Sequence, residues 1–351
     1  MKTLTLGPSG PRVPDICLGT MTWGRQTPED DAHRQIALGL DHGLVFLDTA
    51  EMYPTNPVTA DKRGGTETVI GNWIARHGGR ERMILATKVT GEGSQAMEGG
   101  TPMIDAARLR SAVEESLTRL RTDHIDLFQL HWPNRGSYHF RRYWTYAPKT
   151  EAPFDAHATR AHMQAILAEA KALQDEGKIG HLGMSNETAW GLAQWSRVAD
   201  ESALPRLVSV QNEYSLLCRL FDTDMAETSL QENIPLLAYS PLAAGLLTGK
   251  YAGDVTPEGS RRSVVSDLGG RITPRVFEAV SAYLGLARDW SIDPVVMALA
   301  WHRTRPFTSI PILGATRFEQ LEAQIPALDV TLPEGLAQAI DGVHKAHPMP
   351  Y

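Results

Sequence analysis

Short apolar, β-branched runs recur along the chain, and helical patterns separate them. Each run is too short and too apolar to be a half-exposed hairpin strand, which is typical of parallel strands buried on both faces. The eight predicted strands are Ile16–Gly19, Leu44–Asp48, Met83–Lys88, Ile125–Leu130, His181–Ser185, Leu207–Gln211, Pro235–Ser240 and Thr308–Ile312.

Apolar residues at helical spacing lie between these strands. One pattern predicts a helix over Ala106–Arg121, and a second, over residues 163–173, is followed by Gly177 as a C-terminal stop. Asp293-Pro294 begins another helix, with proline in its first turn. Strand–helix alternation repeated eight times predicts an α/β protein, a closed (β/α)8 TIM barrel.

The remaining segments complete this architecture. Thr3–Leu6 and Arg12–Cys17 flank a Pro-Ser-Gly-Pro turn and predict an N-terminal β-hairpin that plugs the bottom of the barrel. Residues 90–103 and 133–158 lack regular patterning and predict extra loops at the C-terminal face. The second loop is rich in aromatic residues and is expected to cover a pocket. We expect one domain over residues 1–351.

Composition and charge narrow the classes of function. The formal net charge is −7, from 34 Lys and Arg against 41 Asp and Glu, and this mild acidity argues against nucleic acid and anionic membranes as partners. Only two cysteines occur and no apolar run approaches a membrane span, so we expect a cytoplasmic protein. The oligomeric state stays open.

Four polar side chains follow the ends of three neighbouring predicted strands. Asp48 ends the second strand and Tyr53 follows it, while Lys88 ends the third strand and His131 follows the fourth. In a barrel, the carboxyl ends of the strands carry the reactive groups. We therefore expect these four side chains to meet at the barrel mouth.

This set suits proton transfer to a carbonyl oxygen. A tyrosine hydroxyl is a poor acid, with an unperturbed pKa of about 10, and a neighbouring lysine would lower that pKa. The carboxylate of Asp48 would keep Lys88 charged and oriented. A neutral His131 would donate a hydrogen bond to the oxygen as negative charge develops there. Together the four residues would protonate an alkoxide.

Two other kinds of sequence motif, for phosphate binding and for metal binding, bear on the function. Residues 91–96 have the Gly-x-Gly-x-x-Ala spacing of a phosphate-binding turn, but no strong helix follows them. No His-Glu-x-x-His or Cys-x-x-Cys spacing is present, so no metal site is expected.

Motifs along nearly the whole chain resemble those of the aldo-keto reductase superfamily and, within it, the Tas-like reductases. They include Leu18–Gly24, Leu47–Tyr53, Ala86–Val89, Gln129–Pro133, Gly183–Asn186, Val210–Asn212, Tyr239–Leu242 and Leu247–Tyr251. The resemblance implies a reductase of aldehydes or ketones that uses NADPH, with Tyr53 as general acid. Asp48 and Lys88 would tune Tyr53, and His131 would orient the carbonyl.

The resemblance also implies the residues that hold NADPH. Ser185, Asn186 and Gln211 match the positions that hold the nicotinamide carboxamide, and Tyr239 matches the aromatic residue that stacks on the nicotinamide ring. The other implied cofactor-binding residues are Gly19, Thr20, Met21, Ser240, Pro241, Leu242, Gly245, Lys250, Arg261, Gly314, Thr316, Arg317, Gln320 and Gln324.

Arg317 offers a fork for the 2′-phosphate, which favours NADPH over NADH. The family usually has Glu-Asn where this chain has Ala323-Gln324, which puts the adenine contact in question. Trp23 and Trp132 are expected to wall the site for an aromatic or medium-sized apolar carbonyl.

Two other functions stay open. One is an NADPH-binding regulatory subunit of this fold that senses redox state and assembles with a partner. The other is a metal-dependent barrel hydrolase that uses His131 and Asp48.

Overall fold

The computed structural model describes residues 1–140, 142–146, 148 and 154–351. The strands of this part of the chain form a short hairpin and a barrel. They are β1 (Thr3–Thr5), β2 (Arg12–Pro14), β3 (Cys17–Gly19), β4 (Phe46–Asp48), β5 (Ile84–Val89), β6 (Ile125–Leu130), β7 (Ile179–Ser185), β8 (Val210–Glu213), β9 (Leu236–Tyr239) and β10 (Ser309–Gly314).

Strands β3 to β10 are parallel and close into a barrel in which each strand pairs with the next in the chain. The barrel closes where Cys17 of β3 pairs with Ile312 of β10. The predicted (β/α)8 TIM barrel is therefore confirmed. The largest error in a strand boundary is at β8, which was expected from Leu207 and begins at Val210. Leu207 is a buried apolar residue ahead of the strand, so hydrophobicity alone extended the prediction.

Helices follow the strands and surround the barrel. They are α1 (Glu29–Asp41), α2 (Gly65–His77), α3 (Ala106–Leu120), α4 (Ala156–Asp175), α5 (Ala189–Ser202), α6 (Asp224–Glu232), α7 (Arg261–Val264), α8 (Val276–Asp289), α9 (Pro294–Trp301), α10 (Phe318–Gln324) and α11 (Leu336–Ala346).

Local chemistry at the helix ends explains several of these boundaries. The Asp155 side chain accepts hydrogen bonds from two amides at the start of α4, and Asp293 does the same at α9. Residue Gly177, after α4, has φ +72°, as expected of a glycine stop. Because Asp155 caps α4, residues 156–158 are helical, and the irregular stretch predicted to reach residue 158 ends earlier. Residues 141, 147 and 149–153 of that stretch lie outside the described residues.

The N-terminal hairpin packs into the end of the barrel opposite the strand carboxyl ends. Its residues Leu6 and Val13 are fully buried in one apolar cluster with inward-facing strand residues such as Phe46 and Leu127. The turn needs glycine at residue 7, because a Cβ there would lie 2.8 Å from the Val208 carbonyl oxygen and φ is +61°. The predicted plug is confirmed. A larger apolar cluster fills the space between the barrel and its helices.

Within the described part of the chain, no helix is long and apolar enough to cross a bilayer.

Candidate active site

A buried ion pair lies at the carboxyl ends of β4 and β5. Lys88 is completely buried and Asp48 is 2% exposed. The Lys88 Nζ atom donates to Asp48 Oδ2 at 2.7 Å and to the Thr49 carbonyl oxygen at 2.7 Å. Burial alone would lower the pKa of Lys88, but the charge and hydrogen bond of Asp48, together with the nearby Tyr53 and Cys17, raise the pKa above its ordinary value. Lys88 is therefore a fixed cation inside the barrel.

The second carboxylate oxygen of Asp48 is bound by two amides. Gln211 Nε2 donates to Asp48 Oδ1 at 2.8 Å, and Gln129 Nε2 donates to the same atom at 3.2 Å. The amide nitrogen of Gln211, which is expected to help hold the carboxamide, therefore binds Asp48 in the protein alone. Sequence reasoning missed Gln129. Its signal was a polar residue within the apolar second half of strand β6, directly opposite Lys88 in the pairing of β5 and β6.

Tyr53 lies beside this ion pair and is 9% exposed. The Lys88 Nζ atom is 5.1 Å from the centroid of the Tyr53 ring, and the His131 ring lies edge-on at 6.0 Å. Burial raises the pKa of Tyr53 above its ordinary value, although the charge of Lys88 acts in the opposite direction. The expectation of a lowered pKa is therefore wrong for the protein alone, because the desolvation of the phenolate exceeds the attraction of Lys88.

His131, just after β6, faces the same space and is 6% exposed. Burial, together with the positive charge of Lys88, holds the pKa of His131 well below its usual range, so the imidazole is neutral at neutral pH. Its Nδ1 atom is enclosed and has no hydrogen-bond partner among the described residues. A neutral imidazole carries one N–H donor, which suits hydrogen bonding to a bound carbonyl oxygen.

The residues expected to bind nicotinamide form one hydrogen-bonded chain. Tyr239 Oη donates to Asn186 Oδ1 at 2.9 Å, and Asn186 Nδ2 donates to the His131 carbonyl oxygen at 2.9 Å. Ser185 Oγ donates to the Gln211 carbonyl oxygen at 2.8 Å. Asn186 has φ +55°, a conformation that asparagine tolerates better than most residues. Strands β7, β8 and β9 thus hold these side chains next to His131.

The residues predicted after β3 lie on the opposite side of Asp48. Thr20 is buried, and its Oγ1 donates to the Asp48 carbonyl oxygen at 2.9 Å. Gly19 pairs with Gly314 of β10, so these two predicted ligands are neighbours at the barrel mouth. Met21 follows and is half-buried.

The segment after β9 has an unusual backbone. Ser240, Ala243, Ala244 and Gly245 all have positive φ, at +54°, +47°, +57° and +96°. Two backbone N–H groups of this segment are paired within it, Ala243 to the Ser240 carbonyl oxygen at 2.8 Å and Gly245 to the Leu242 carbonyl oxygen at 2.9 Å. The predicted residues Pro241 and Leu242 of this segment are buried, while the predicted Lys250 is exposed.

Arg261, the first residue of α7, forms no ion pair with the residues that the structure describes. Its Nε atom is enclosed and unpaired within the described ranges. Burial, together with the nearby Arg271 guanidinium, lowers the pKa of Arg261 to about 10. The charge of Arg261 also acts to lower the pKa of Tyr53, so the two side chains are close enough to interact electrostatically. An unpaired, half-buried cation is a candidate partner for an anion.

The loop after β10 carries the remaining predicted residues. Arg317 is exposed, and Thr316 donates from its N and Oγ1 atoms to Gln320 Oε1, each at 3.0 Å. Gln320 therefore caps the start of α10 in addition to its predicted role. The Gln324 Oε1 atom is enclosed and finds no partner in the described part of the chain.

The two tryptophans predicted to wall the substrate site differ. Trp132 is half-buried, and its ring lies 5.1 Å from His131 and 5.6 Å from Phe140. Trp23 is completely buried in the main apolar core, and its predicted place in the wall of the substrate site stays a prediction. Its position just after β3 gave no indication that the ring turns into the core.

The glycine-rich stretch at residues 91–96 has a packing role. A Cβ at Gly91 would lie 2.2 Å from Trp132 Nε1, so glycine is needed for the indole to approach. Trp132 Nε1 also donates to the Glu92 carbonyl oxygen at 3.2 Å. Across the described residues, no group of three or more His, Cys, Asp or Glu side chains is arranged to hold a metal ion.

A closed parallel barrel with titratable side chains at the carboxyl ends of its strands is the architecture of a (β/α)8-barrel enzyme. Comparison with known proteins identifies the class. Residues 15–345 match the model of the Aldo/keto reductase family. The chain therefore belongs to the aldo/keto reductase family of NAD(P)H-dependent oxidoreductases.

Individual relatives cover nearly all of the chain. Protein tas of Escherichia coli (strain K12) is 39% identical over 343 residues, which is 96% of each chain. The uncharacterized oxidoreductase YrpG of Bacillus subtilis (strain 168) is 31% identical over 346 residues, 98% of this chain and 96% of the relative. A probable voltage-gated potassium channel subunit beta of Arabidopsis thaliana is 26% identical over 336 residues, 94% of this chain and 92% of the relative.

Proposed function

We propose that this protein reduces an aldehyde or ketone to the alcohol with NADPH, and that Tyr53 is the general acid. The observation that carries the proposal is the buried Lys88–Asp48 ion pair, in which Nζ and Oδ2 are 2.7 Å apart. The Tyr53 ring lies beside this pair, and the His131 ring lies beside Tyr53. A protein pays a high desolvation cost to bury a charge in this way unless the charge is well paired. A cation fixed next to a tyrosine has a direct use in proton transfer.

Each of the four side chains has a role in this scheme. His131, neutral because of its lowered pKa, donates a hydrogen bond to the carbonyl oxygen and holds it toward Tyr53. Tyr53 gives its hydroxyl proton to that oxygen as negative charge develops there. Lys88 stabilises the phenolate left on Tyr53, and Asp48 holds Lys88 in place.

In this proposal, the cofactor lies in a cleft that extends from Asn186 to Gln324. Polar atoms of the chain along this cleft suit the groups of a dinucleotide. The Nε atom of Arg261, which has no partner among the described residues, belongs to a cation that would pair with a diphosphate. The orphaned Gln324 Oε1 offers an acceptor for the adenine amino group. When bound, the reduced nicotinamide supplies the hydride for the carbonyl carbon.

NADPH is favoured over NADH because of Arg317. Its guanidinium is exposed at the start of α10, where it is free to form a bidentate contact with a 2′-phosphate. The substrate would lie against Trp132 and Phe140, whose rings meet edge to face at 5.6 Å. These aromatic walls favour an aromatic or medium-sized apolar carbonyl compound.

The regulatory alternative has one observation in its favour, the similarity over 94% of the chain to a potassium channel subunit beta. That relative is less similar than the oxidoreductase YrpG. The hydrolase alternative needs a metal-binding group of side chains, and the described residues provide none.

The test is the decrease in NADPH absorbance with an activated aromatic aldehyde, with NADH assayed in parallel. We expect rapid consumption of NADPH, slow consumption of NADH and loss of turnover in the Tyr53→Phe variant. Equal rates with both cofactors would refute the NADPH preference. Tight NADPH binding with no turnover on any carbonyl compound would favour the regulatory subunit.

A further inference from the structure

Glu51 is a completely buried carboxylate between Asp48 and Tyr53 in the sequence, and the proposed mechanism does not use it. Burial alone would raise the pKa of Glu51, but hydrogen bonds and charge from Arg108 outweigh burial and lower the pKa to about 2. The side chain is therefore an anion held inside the protein. A buried charge of this kind is costly, so its contacts need an explanation.

The carboxylate receives donors from three separate segments of the chain. Arg108 of α3 donates from Nη2 to both oxygens at 2.6 Å. Arg63, from the loop before α2, donates from Nε to Oε1 at 3.0 Å. The backbone N–H of Thr90, just after β5, donates to Oε2 at 2.8 Å. Glu51 therefore joins the loop that carries Tyr53 to the strand that carries Lys88.

The contact with Thr90 continues the pairing of β4 and β5 beyond the ends of both strands. The Thr49 N–H donates to the Ala86 carbonyl oxygen at 2.8 Å, and the Glu51 N–H donates to the Lys88 carbonyl oxygen at 3.1 Å. The next bond in this series runs from the Thr90 N–H to the Glu51 side chain. The Glu51 carboxylate thus takes the place of a backbone acceptor where the chain leaves the hydrogen-bonded pairing of β4 and β5 and continues to Tyr53.

We infer that Glu51 is a positioning residue, with Arg108 as its main counter-ion, whose carboxylate sets the placement of Tyr53 relative to Lys88. This inference rests on the proposed function, in which the Lys88 ammonium must lie beside the Tyr53 hydroxyl. The residue is not a catalytic group, because its oxygens are occupied by Arg108, Arg63 and Thr90. In this proposal, Glu51 acts by fixing the position of the Tyr53 side chain relative to that of Lys88.

The decisive variant is Glu51→Gln, which keeps the side-chain shape and removes the charge. We expect kcat to fall about 10- to 100-fold, as for a displacement of about 1 Å at a reacting group, with NADPH affinity unchanged. Lys88 would stabilise the displaced phenolate less. The fall in activity at high pH would therefore move to higher pH, since Tyr53 must be protonated to act.

That pH readout depends on every charged or titratable group that faces Tyr53. These are Lys88, Asp48, Arg261 and His131. None of the four groups is changed in Glu51→Gln. A shift of the alkaline limb of the pH–activity profile to higher pH therefore reports altered geometry between Tyr53 and these groups.

A matched control is Glu67→Gln on α2. Glu67 is also completely buried, and it accepts from Arg119 Nε at 2.6 Å and from Thr87 Oγ1 at 2.6 Å. Thr87 alternates with Lys88 along β5 and points to the outer face of the barrel. We expect this variant to lose a comparable amount of folding stability while its kcat and alkaline limb stay those of the wild type.

A crystal structure of Glu51→Gln gives a second readout that needs no turnover. We expect the separation of Lys88 Nζ and the Tyr53 ring, 5.1 Å in the wild type, to increase in this variant and to stay unchanged in Glu67→Gln. If Glu51→Gln does not fold, Arg108→Lys replaces it in both measurements, because Glu51 then keeps its bonds to Arg63 and Thr90.

The outcomes separate the two proposals. An unchanged alkaline limb and an unchanged Lys88–Tyr53 separation in folded Glu51→Gln would overturn the positioning role. A shift of equal size in Glu67→Gln would also overturn it, because the effect would then be a general one of losing a buried charge. Absence of carbonyl reduction by the wild type would refute the proposed function, while the crystallographic comparison would still decide the role of Glu51.

Discussion

The proposed catalytic cluster, formed by Asp48, Tyr53, Lys88 and His131, differs from the adenosine end of the proposed cleft, which carries Arg261 and Arg317. The two regions differ in how many of their polar atoms are already paired. At the cluster, Asp48 accepts hydrogen bonds from Lys88, Gln129 and Gln211. At the adenosine end, Arg317 is exposed and Arg261 Nε has no partner among the residues described. Folding alone satisfies the Asp48–Lys88 pair, whereas the second region has donors that a ligand would satisfy.

This difference has an energetic consequence. Removing one partner of a buried, fully paired group leaves the other unpaired and destabilises the fold, typically by about 3–5 kcal/mol for an ion pair. Removing an exposed or unpaired group costs the free protein little, because nothing in the fold depends on it. Substitutions at the cluster should therefore change both stability and turnover, and those at the adenosine end should change cofactor affinity alone.

Tyr53→Phe is expected to have the largest effect on turnover. Loss of the proton donor should lower kcat about 100- to 10,000-fold, the usual contribution of a general acid. NADPH affinity, measured by fluorescence titration, should stay within about two-fold of the wild type. Turnover comparable to the wild type would mean that another group, such as His131, is the acid.

Lys88→Met should damage both properties at once. We expect a fall in kcat of about 100-fold or more and a loss of about 3–5 kcal/mol in the free energy of unfolding, because Asp48 is left buried without its cation. Urea denaturation and steady-state kinetics measure the two effects. The double variant with Asp48→Asn should recover stability without recovering turnover. Recovery of both would contradict a catalytic role for the ion pair.

The strand ends of the cluster could be predicted because a titratable residue that ends an apolar run is visible in the sequence. Asp48, Lys88 and His131 are such residues, and the barrel brings them together whatever the details of packing. Gln129 could not be predicted as a ligand of Asp48. Its contact depends on the register of β5 against β6, in which it lies opposite Lys88.

Two further features depended on burial rather than on spacing. Trp23 follows β3 as Trp132 follows β6, yet the first ring is fully buried and the second is half-buried. The direction of the pKa shift at Tyr53 also results from a balance between burial and the charge of Lys88. Sequence identifies both contributors, but only the structure shows that burial is the larger.

Arg317→Ala tests the adenosine end with a smaller expected effect. Loss of a charge-assisted contact with the 2′-phosphate should weaken NADPH binding about 10-fold or somewhat more and leave NADH binding unchanged. The melting temperature of the free protein should not change, since the side chain is exposed. Arg76→Ala, at another exposed arginine, is the control. Equal weakening of NADPH and NADH binding would show that Arg317 does not contact the 2′-phosphate.

The smallest expected effect concerns the acid stability of the cluster. Because burial lowers the pKa of His131, the unfolded chain binds a proton that the folded protein does not bind as pH falls below about 6.5. The contribution of His131 to stability is therefore complete above that pH. It is lost as pH falls toward the folded pKa, by at most about 1.4 kcal/mol per pH unit.

His131→Gln removes this titration and keeps a neutral polar side chain. Between pH 7 and pH 5.5, measured by urea denaturation, the variant should lose less stability than the wild type by about 1 kcal/mol. The buried His139 and His302 also have lowered pKa values, of about 4 and about 3, and they contribute equally to both proteins. The difference between the two slopes therefore isolates His131. Equal slopes would mean that His131 takes up its proton at the same pH in the folded and unfolded states, which would contradict the lowered pKa of the buried imidazole.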